Sequence, residues 1–350
     1  TGRRPKATGV LNNRTNFRLQ LPNVVTLPEQ FRQRGYAVSR VGKIFHQGVP
    51  IDIGTPGLDD PASWENVVDP RGRDRAEEHL LTVYTPDLLL QDRMSFLAAE
   101  GNDEEQTDGM VATEAIRLLR ENRERAFFLA AGFYRPHIPY IAPKKYFELY
   151  DIDSTRLPSL PSNYRSTVPT AALASTKIWP NFGTTARQAR ECILAYDASV
   201  SFVDAQVGRL LDELDRLGLT EKTIVVLWGD HGYHLGEHGL WRKNSLFEES
   251  ARAPLIVVAP GFEAVEAGCA RVVEFVDIYP TVMELARMEP PDECDGKSLV
   301  PLMRNPKIEW NGSAFTQVQF GKNEQAVPGQ TVRTERWRYV HWDGGRMGHE

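Results

Sequence analysis

Thr223–Lys243 reads TIVVLWGDHGYHLGEHGLWRK. Its first six residues, Thr223 to Trp228, are apolar or β-branched without a break. Such a run predicts a strand buried on both faces, the kind found in the middle of a parallel sheet. The run stops at Gly229, and Asp230, His231, His234, Glu237, His238 and Lys243 follow within a few positions of it. In open α/β sheets, ligands bind beyond the carboxyl ends of the strands. A strand that empties into carboxylate, imidazole and ammonium groups therefore marks a candidate active site.

Two more apolar runs end in the same way. Tyr36–Val41 leads into Lys43 and His46, and Ala126–Phe133 leads into Tyr134-Arg135-Pro136-His137. A fourth run, Pro254–Val258, leads into Ala259-Pro260-Gly261, which carries no such chemistry, so reactive exits are not a general habit of these strands. Helical patterns lie between the runs. Thr26–Arg34 opens with Thr26 and Glu29 spaced as a capping box, and Thr185–Leu217 does the same with Thr185 and Gln188. Asp108–Glu121 is amphipathic, and Val276–Ala286 places Pro280 in a first turn, where a missing N–H costs little. In Thr185–Leu217 the residues Ile193, Tyr196, Val200, Val203, Val207, Leu210 and Leu214 form the expected buried stripe.

Alternating strands and helices predict an α/β fold with a mostly parallel central sheet and helices on both faces. Gly48–Asp92 and Pro139–Thr185 read as long irregular stretches. Ser313–Phe320 and Thr331–Trp342, the latter with a hairpin near Arg336-Trp337, read as the start of a small antiparallel subdomain. The expected division is residues 1–309 and 310–350.

Composition is that of an ordinary globular chain: 350 residues, 41% apolar and 25% charged. A net charge of −6 argues against nucleic acid as a partner, and no apolar run reaches the length of a membrane span. Cys192, Cys269 and Cys294 form no metal motif. The chain opens on Thr1-Gly2-Arg3-Arg4 and ends just after a strand-like run, which predicts a piece of a longer protein with any targeting signal outside it.

In a parallel sheet the three reactive exits are expected to share one edge. Lys43, His46, His137, Asp230, His231 and Lys243 would then meet there, a set suited to an anionic tetrahedral group. The lysines and a metal neutralise oxygen charge, and a histidine protonates a leaving alcohol. Sulfate and phosphate esters both fit. There is no P-loop and no GxSxG elbow, and no Ser, Thr or Cys stands in a nucleophile context.

DHGYHLGEHGLWRK resembles the C-terminal metal and sulfate segment of the type I sulfatases. GKIFHQG (42–48), FYRPHIPY (133–140), AYDASVSFVDAQVGRLLDELDRLG (195–218) and the opening TGRRP are similar to the iduronate-2-sulfatase branch, in the family's order and over nearly the whole chain. The resemblance implies the alkaline-phosphatase-like fold and a sulfuric ester hydrolase acting on a sulfated sugar, with a 2-O-sulfated uronate as one candidate. A phosphodiester or phosphonate hydrolase of the same superfamily and an inactive or binding-only fragment are the alternatives.

By position, the resemblance makes Asp230 and His231 metal ligands, with Ca²⁺ the expected ion. Mn²⁺ or Zn²⁺ would suit the imidazole better. It makes Lys43 and His46 contacts to formylglycine and sulfate, and His137 and Lys243 sulfate-binding or leaving-group residues. The nucleophile, a formylglycine installed by a formylglycine-generating enzyme, is expected upstream of residue 1. His234 and His238 are candidate substrate contacts, while Trp241 is expected to pack rather than to bind sugar. The family's habit places such enzymes in the periplasm, outside the cell or in the lysosome.

Overall fold

The computed structural model describes residues 1–262, 268–321 and 326–349, in two compact units. One unit comprises Val25–Leu157 and Thr184–Thr220; the other comprises Thr1–Val24, Pro158–Gly183 and Glu221–Glu350.

The first unit is built on parallel pairing. β1 (Ala37–Gly42) lies between β2 (Asn66–Val68) and β5 (Phe127–Gly132), parallel to both. A second sheet joins β3 (Thr82–Val83), β4 (Ser95–Ala99) and β6 (Tyr140–Pro143), with β4 and β6 parallel. The stretches read as irregular therefore contribute strands: β2 and β3 fall within residues 48–92, and β6 lies just past Pro139. These strands are two to four residues long, too short to show a period in sequence.

The helix Leu27–Gln33 carries the expected capping box between Thr26 and Glu29, and Ala186–Arg216 carries that of Thr185 and Gln188. Thr107–Asn122 also forms as expected and buries Val111, Ala115 and Leu118 against Val41 of β1 and Tyr134. The long helix buries Ile193 and Leu214 of the expected stripe but not Val200. Val200 is 43% exposed, while Ala195, Ala198, Ser199, Phe202 and Gln206 are buried. Ala198 and Phe202 pack with Ala142 of β6 and Tyr146. Small side chains on this face, Ala195, Ala198 and Ser199, stand beside the large Phe202 and fill the space against the strand.

The second unit corrects the reading of the opening stretch. β7 (Val225–Trp228) pairs antiparallel with β10 (Leu255–Val258), and Trp228, Ile256 and Val258 are each about half exposed. Among the described residues β7 has no parallel neighbour. The connection to β10 carries only two single helical turns, Glu237–Gly239 and Glu248–Ala251, and a chain that returns without a long helical crossover returns antiparallel. Between them, β8 (His234–Leu235) and β9 (Trp241–Arg242) form a short hairpin. The helix Ile278–Leu285 has Pro280 in its first turn, as expected. β11 (Ala314–Phe320), β12 (Val327–Arg333) and β13 (Arg338–Trp342) form the C-terminal antiparallel sheet, with the hairpin at Thr334–Trp337. Val340 and Trp342 pack with Leu246, Ala171 and Ala172.

Candidate active site

Two of the three reactive exits share a sheet edge. β1 and β5 end side by side, with Gly42 paired to Gly132. The Lys43 amide donates to the Gly132 carbonyl at 2.9 Å. The contact leaves no room for side chains: a Cβ on Gly132 would lie 1.9 Å from the Lys43 carbonyl oxygen, and one on Gly42 2.2 Å from the Gly132 oxygen. Gly42 also has φ +72°, the left-handed region that glycine enters without a Cβ clash. This approach sets Lys43, half-buried, beside the turn that carries His137; His46 is exposed.

His137 has a defined tautomer. Its Nδ1 lies 2.7 Å from the Ile138 carbonyl, which only accepts, so Nδ1 carries the proton and Nε2 is the basic nitrogen. The turn itself is held by charge. Asp108 accepts from the Tyr134 and Arg135 amides at 2.8 and 2.9 Å. The Arg135 guanidinium binds Asp74 at 2.6 Å. Burial pushes the Asp108 carboxyl up to about 6, against the pull of the Arg135 charge and the two amides.

The third exit belongs to the other unit and to its separate two-stranded sheet, so the single shared edge of three strands is not observed. Here the β8–β9 hairpin organises the groups. Asp230 and His231 precede β8 and Lys243 follows β9, with His234 opposite Arg242 in the ladder. The hairpin's open end therefore carries the acid and imidazole on one strand side and the ammonium on the other. The Gly232 amide donates to the Ser250 carbonyl at 2.9 Å and ties the entry loop down. His231 Nδ1 lies 2.8 Å from the Gly232 carbonyl, which again assigns the proton to Nδ1. Its Nε2 then faces Asp230 Oδ1 at 3.3 Å. With the ring protonated the contact is an ion pair; with the ring neutral the two atoms are both electron-pair donors, the chemistry of two ligands that could share a cation. Among the described residues no group of three or more His, Cys, Asp or Glu side chains could hold an ion.

The hairpin's other two histidines are both held by protein partners. His234 has no exposed surface. Its Nε2 lies 2.7 Å from Ser245 Oγ, whose own proton goes to Ser250 Oγ at 2.9 Å, so Nε2 donates. His234 Nδ1 is buried without a partner. In this structure His234 is a packed position. His238 stacks on Phe247 at 3.9 Å and uses both ring nitrogens, toward the Tyr164 hydroxyl and toward Glu249 at 3.2 Å. That hydrogen bond holds the Glu249 carboxyl down to about 2. The His238 carbonyl accepts from Trp179 Nε1, and buried Trp241 donates to Asn181, so Trp241 packs as expected.

Burial pushes the His234 imidazole down to about 4. The unfolded chain takes up this proton near pH 6.5, whereas the folded chain resists it until about pH 4. The stability that neutral His234 contributes is complete above pH 6.5 and is lost as pH falls toward 4, by about 3 kcal/mol in total. Unfolding free energies measured across that window should show the loss. A His234→Gln variant, which keeps a donor for Ser245 and cannot titrate, should lack it; an unchanged pH dependence in the variant would assign the loss elsewhere.

Sequence reasoning passed over Asp74, Asp108, Tyr164, Trp179 and Asn181, which hold these loops. Only Arg135 carried a signal, as the cation two residues before His137.

Comparison with solved structures defines the fold. The chain superposes on the phosphonate monoester hydrolase of Agrobacterium radiobacter with a TM-score of 0.77 and 21% identity, over 98% of this chain and 76% of that one. The fold is alkaline-phosphatase-like, with a parallel sheet, helices and small antiparallel sheets toward the C-terminus. The sulfatase family model matches residues 1–288, so the chain belongs to the sulfatase family, the sulfuric ester hydrolases. A second model, N-sulphoglucosamine sulphohydrolase, C-terminal, matches residues 236–346. Human iduronate 2-sulfatase is 32% identical over 98% of this chain and 75% of its own length. A sulfatase of Formosa agariphila is 30% identical over 99% of this chain and 68% of its own. No described helix is long and apolar enough to cross a membrane.

Proposed function

We propose that this protein hydrolyses the sulfate ester of a sugar, with a 2-O-sulfated uronate as the substrate to test first. The observation that carries the proposal is the glycine-paired end of β1 and β5, which sets Lys43 beside the turn of His137. It does so in a chain 32% identical to human iduronate 2-sulfatase.

Lys43 supplies fixed positive charge to sulfate oxygens as charge builds in the transition state. His137, with Nδ1–H committed to the Ile138 carbonyl, takes up a proton on Nε2 and, as imidazolium, gives it to the departing sugar oxygen. His46 is proposed to contact the sulfate, and Lys243 the sulfate or the leaving group. Asp230 and His231 would hold a divalent cation, Ca²⁺ by the resemblance, and that ion would add positive charge against the sulfate oxygens.

The nucleophile this reading requires is a formylglycine, whose hydrated aldehyde supplies the attacking hydroxyl. No cysteine of this chain is proposed as its source. Cys192 is buried in the long helix with its thiol pushed up to about 12 by burial, and burial raises Cys294 as well. A formylglycine-generating enzyme is the implied partner, and an exported or lysosomal location the implied compartment.

The test is turnover by the full-length protein, co-expressed with a formylglycine-generating enzyme, on a 2-O-sulfated uronate disaccharide and on a phosphonate monoester. Sulfate release is expected, falling about 100- to 1,000-fold in kcat/KM in Lys43→Ala. Phosphonate turnover without sulfate release would assign the chemistry to the related hydrolases. Failure on both, and on a panel of other sugar sulfates, by folded, formylglycine-bearing protein would leave a binding protein.

A further inference from the structure

We propose that Asp108, Asp74 and Arg135 form a buried cradle that positions the His137 ring for proton transfer. The inference rests on the function proposed above.

The turn that carries His137 is poor in its own hydrogen bonds. Pro136 and Pro139 lack amide protons, so the segment from Tyr134 to Pro139 cannot join a regular ladder. Charged groups meet it from behind. Both oxygens of Asp108 are used, one on the Tyr134 amide and one on the Arg135 amide. Arg135 Nη1 donates to the carbonyls of His137 and Pro139, at 3.3 and 2.7 Å, on either side of the Ile138 carbonyl that orients the imidazole. Arg135 Nη2 donates to Asp74 Oδ2. The other Asp74 oxygen accepts from the Thr107 amide and hydroxyl at 2.8 and 2.6 Å, next to Asp108 at the start of the Thr107–Asn122 helix.

The Asp74 and Arg135 side chains are 3% and 2% exposed. Burying three charges is costly, and a chain needing only an anchor for a loop does as well with apolar packing of similar volume. What charges add is direction: two carboxylates and a forked guanidinium fix the backbone on both sides of His137. A ring held this way keeps Nε2 on one line, and a displacement of about 1 Å can cost a catalytic group about 100-fold.

The experiment compares Asp108→Asn and Arg135→Lys with wild type on two sulfates, a sugar sulfate and nitrophenyl sulfate. In Asp108→Asn the new side chain has one oxygen to accept with, so one of the two backbone N–H donors loses its partner. In Arg135→Lys the charge facing Asp74 is kept and the fork is lost. The nitrophenolate leaves without a proton, so a misplaced acid matters little to it. Both variants should lose about tenfold or more in kcat on the sugar sulfate, with KM little changed and nitrophenyl sulfate turnover within about threefold of wild type. His137→Ala, which removes the acid itself, should lose more on the sugar sulfate than on nitrophenyl sulfate.

Equal losses on both substrates, after normalising to formylglycine content, would make the cradle merely structural and overturn the proposal. So would wild-type ratios. If Asp108→Asn does not fold, Arg135→Lys decides the question alone. Absence of sulfate release by the wild-type protein would instead strike the functional reading itself.

Discussion

Gly132→Ala is expected to prevent the first unit from reaching its native packing. The new Cβ would stand 1.9 Å from the Lys43 carbonyl oxygen, 2.3 Å from its carbon and 2.9 Å from its nitrogen. All three are backbone atoms, so no flexible side chain can swing aside. Relief requires the ends of β1 and β5 to separate. That breaks the bond from the Lys43 amide to Gly132 and disturbs Val41, Val111 and Tyr134, which are packed directly beneath. Close-packed interiors do not absorb such a shift, and a loss of about 4 kcal/mol or more is expected. Denaturant unfolding of the purified variant, or its absence from the soluble fraction, is the measurement. A variant with wild-type stability would show that the strand ends are not held together as described.

Arg40→Ala should cost about 3–5 kcal/mol, the range for breaking a buried ion pair from one side. Arg40 lies in the middle of β1 with 1% of its surface exposed. Its Nε and Nη2 both donate to Asp59 Oδ2, at 2.8 and 2.6 Å. Its Nη1 donates to Asp69 Oδ1 at 2.6 Å and to the Gly42 carbonyl at 3.0 Å. Removing it strands two carboxylates of low exposure and releases the carbonyl that precedes Lys43. Arg40→Lys should recover less than half of the loss, because an ammonium cannot reproduce the fork. Asp59 and Asp69 lie on either side of β2, so hydrogen exchange in the variant should rise first across residues 59–69. Wild-type exchange there would refute the anchoring role.

The two predictions concern residues that differ in legibility. A glycine at the end of an apolar run, followed by lysine, was visible at Gly42-Lys43, and the resemblance to the sulfatases gave that lysine a role. Arg40 was hidden inside the same run. Its two partners lie 19 and 29 residues away, in a stretch with no period to read. Asp108 looked like any helix-opening acid, although its carboxylate serves a turn 26 residues further on. His234 stood among reactive residues in DHGYHLGEHG, yet it alternates into the core of its hairpin.

From the sequence alone came the elements whose causes lie within a few residues. The capping boxes at Thr26 and Thr185, the helix over Thr107–Asn122, the strands before Lys43 and His137 and the hairpin at Thr334–Trp337 all depend on local spacing, and the motif order was enough to show the family. Tertiary structure alone decided which strand covers which. β10 runs antiparallel to β7, β2 joins β1, and the small residues of the long helix turn inward. It alone decided which charges meet in the interior, as Asp74, Asp108 and Arg135 do behind His137. Burial and pairing are properties of surfaces brought together from distant parts of the chain, and a run of apolar residues states that it will be covered without stating by what.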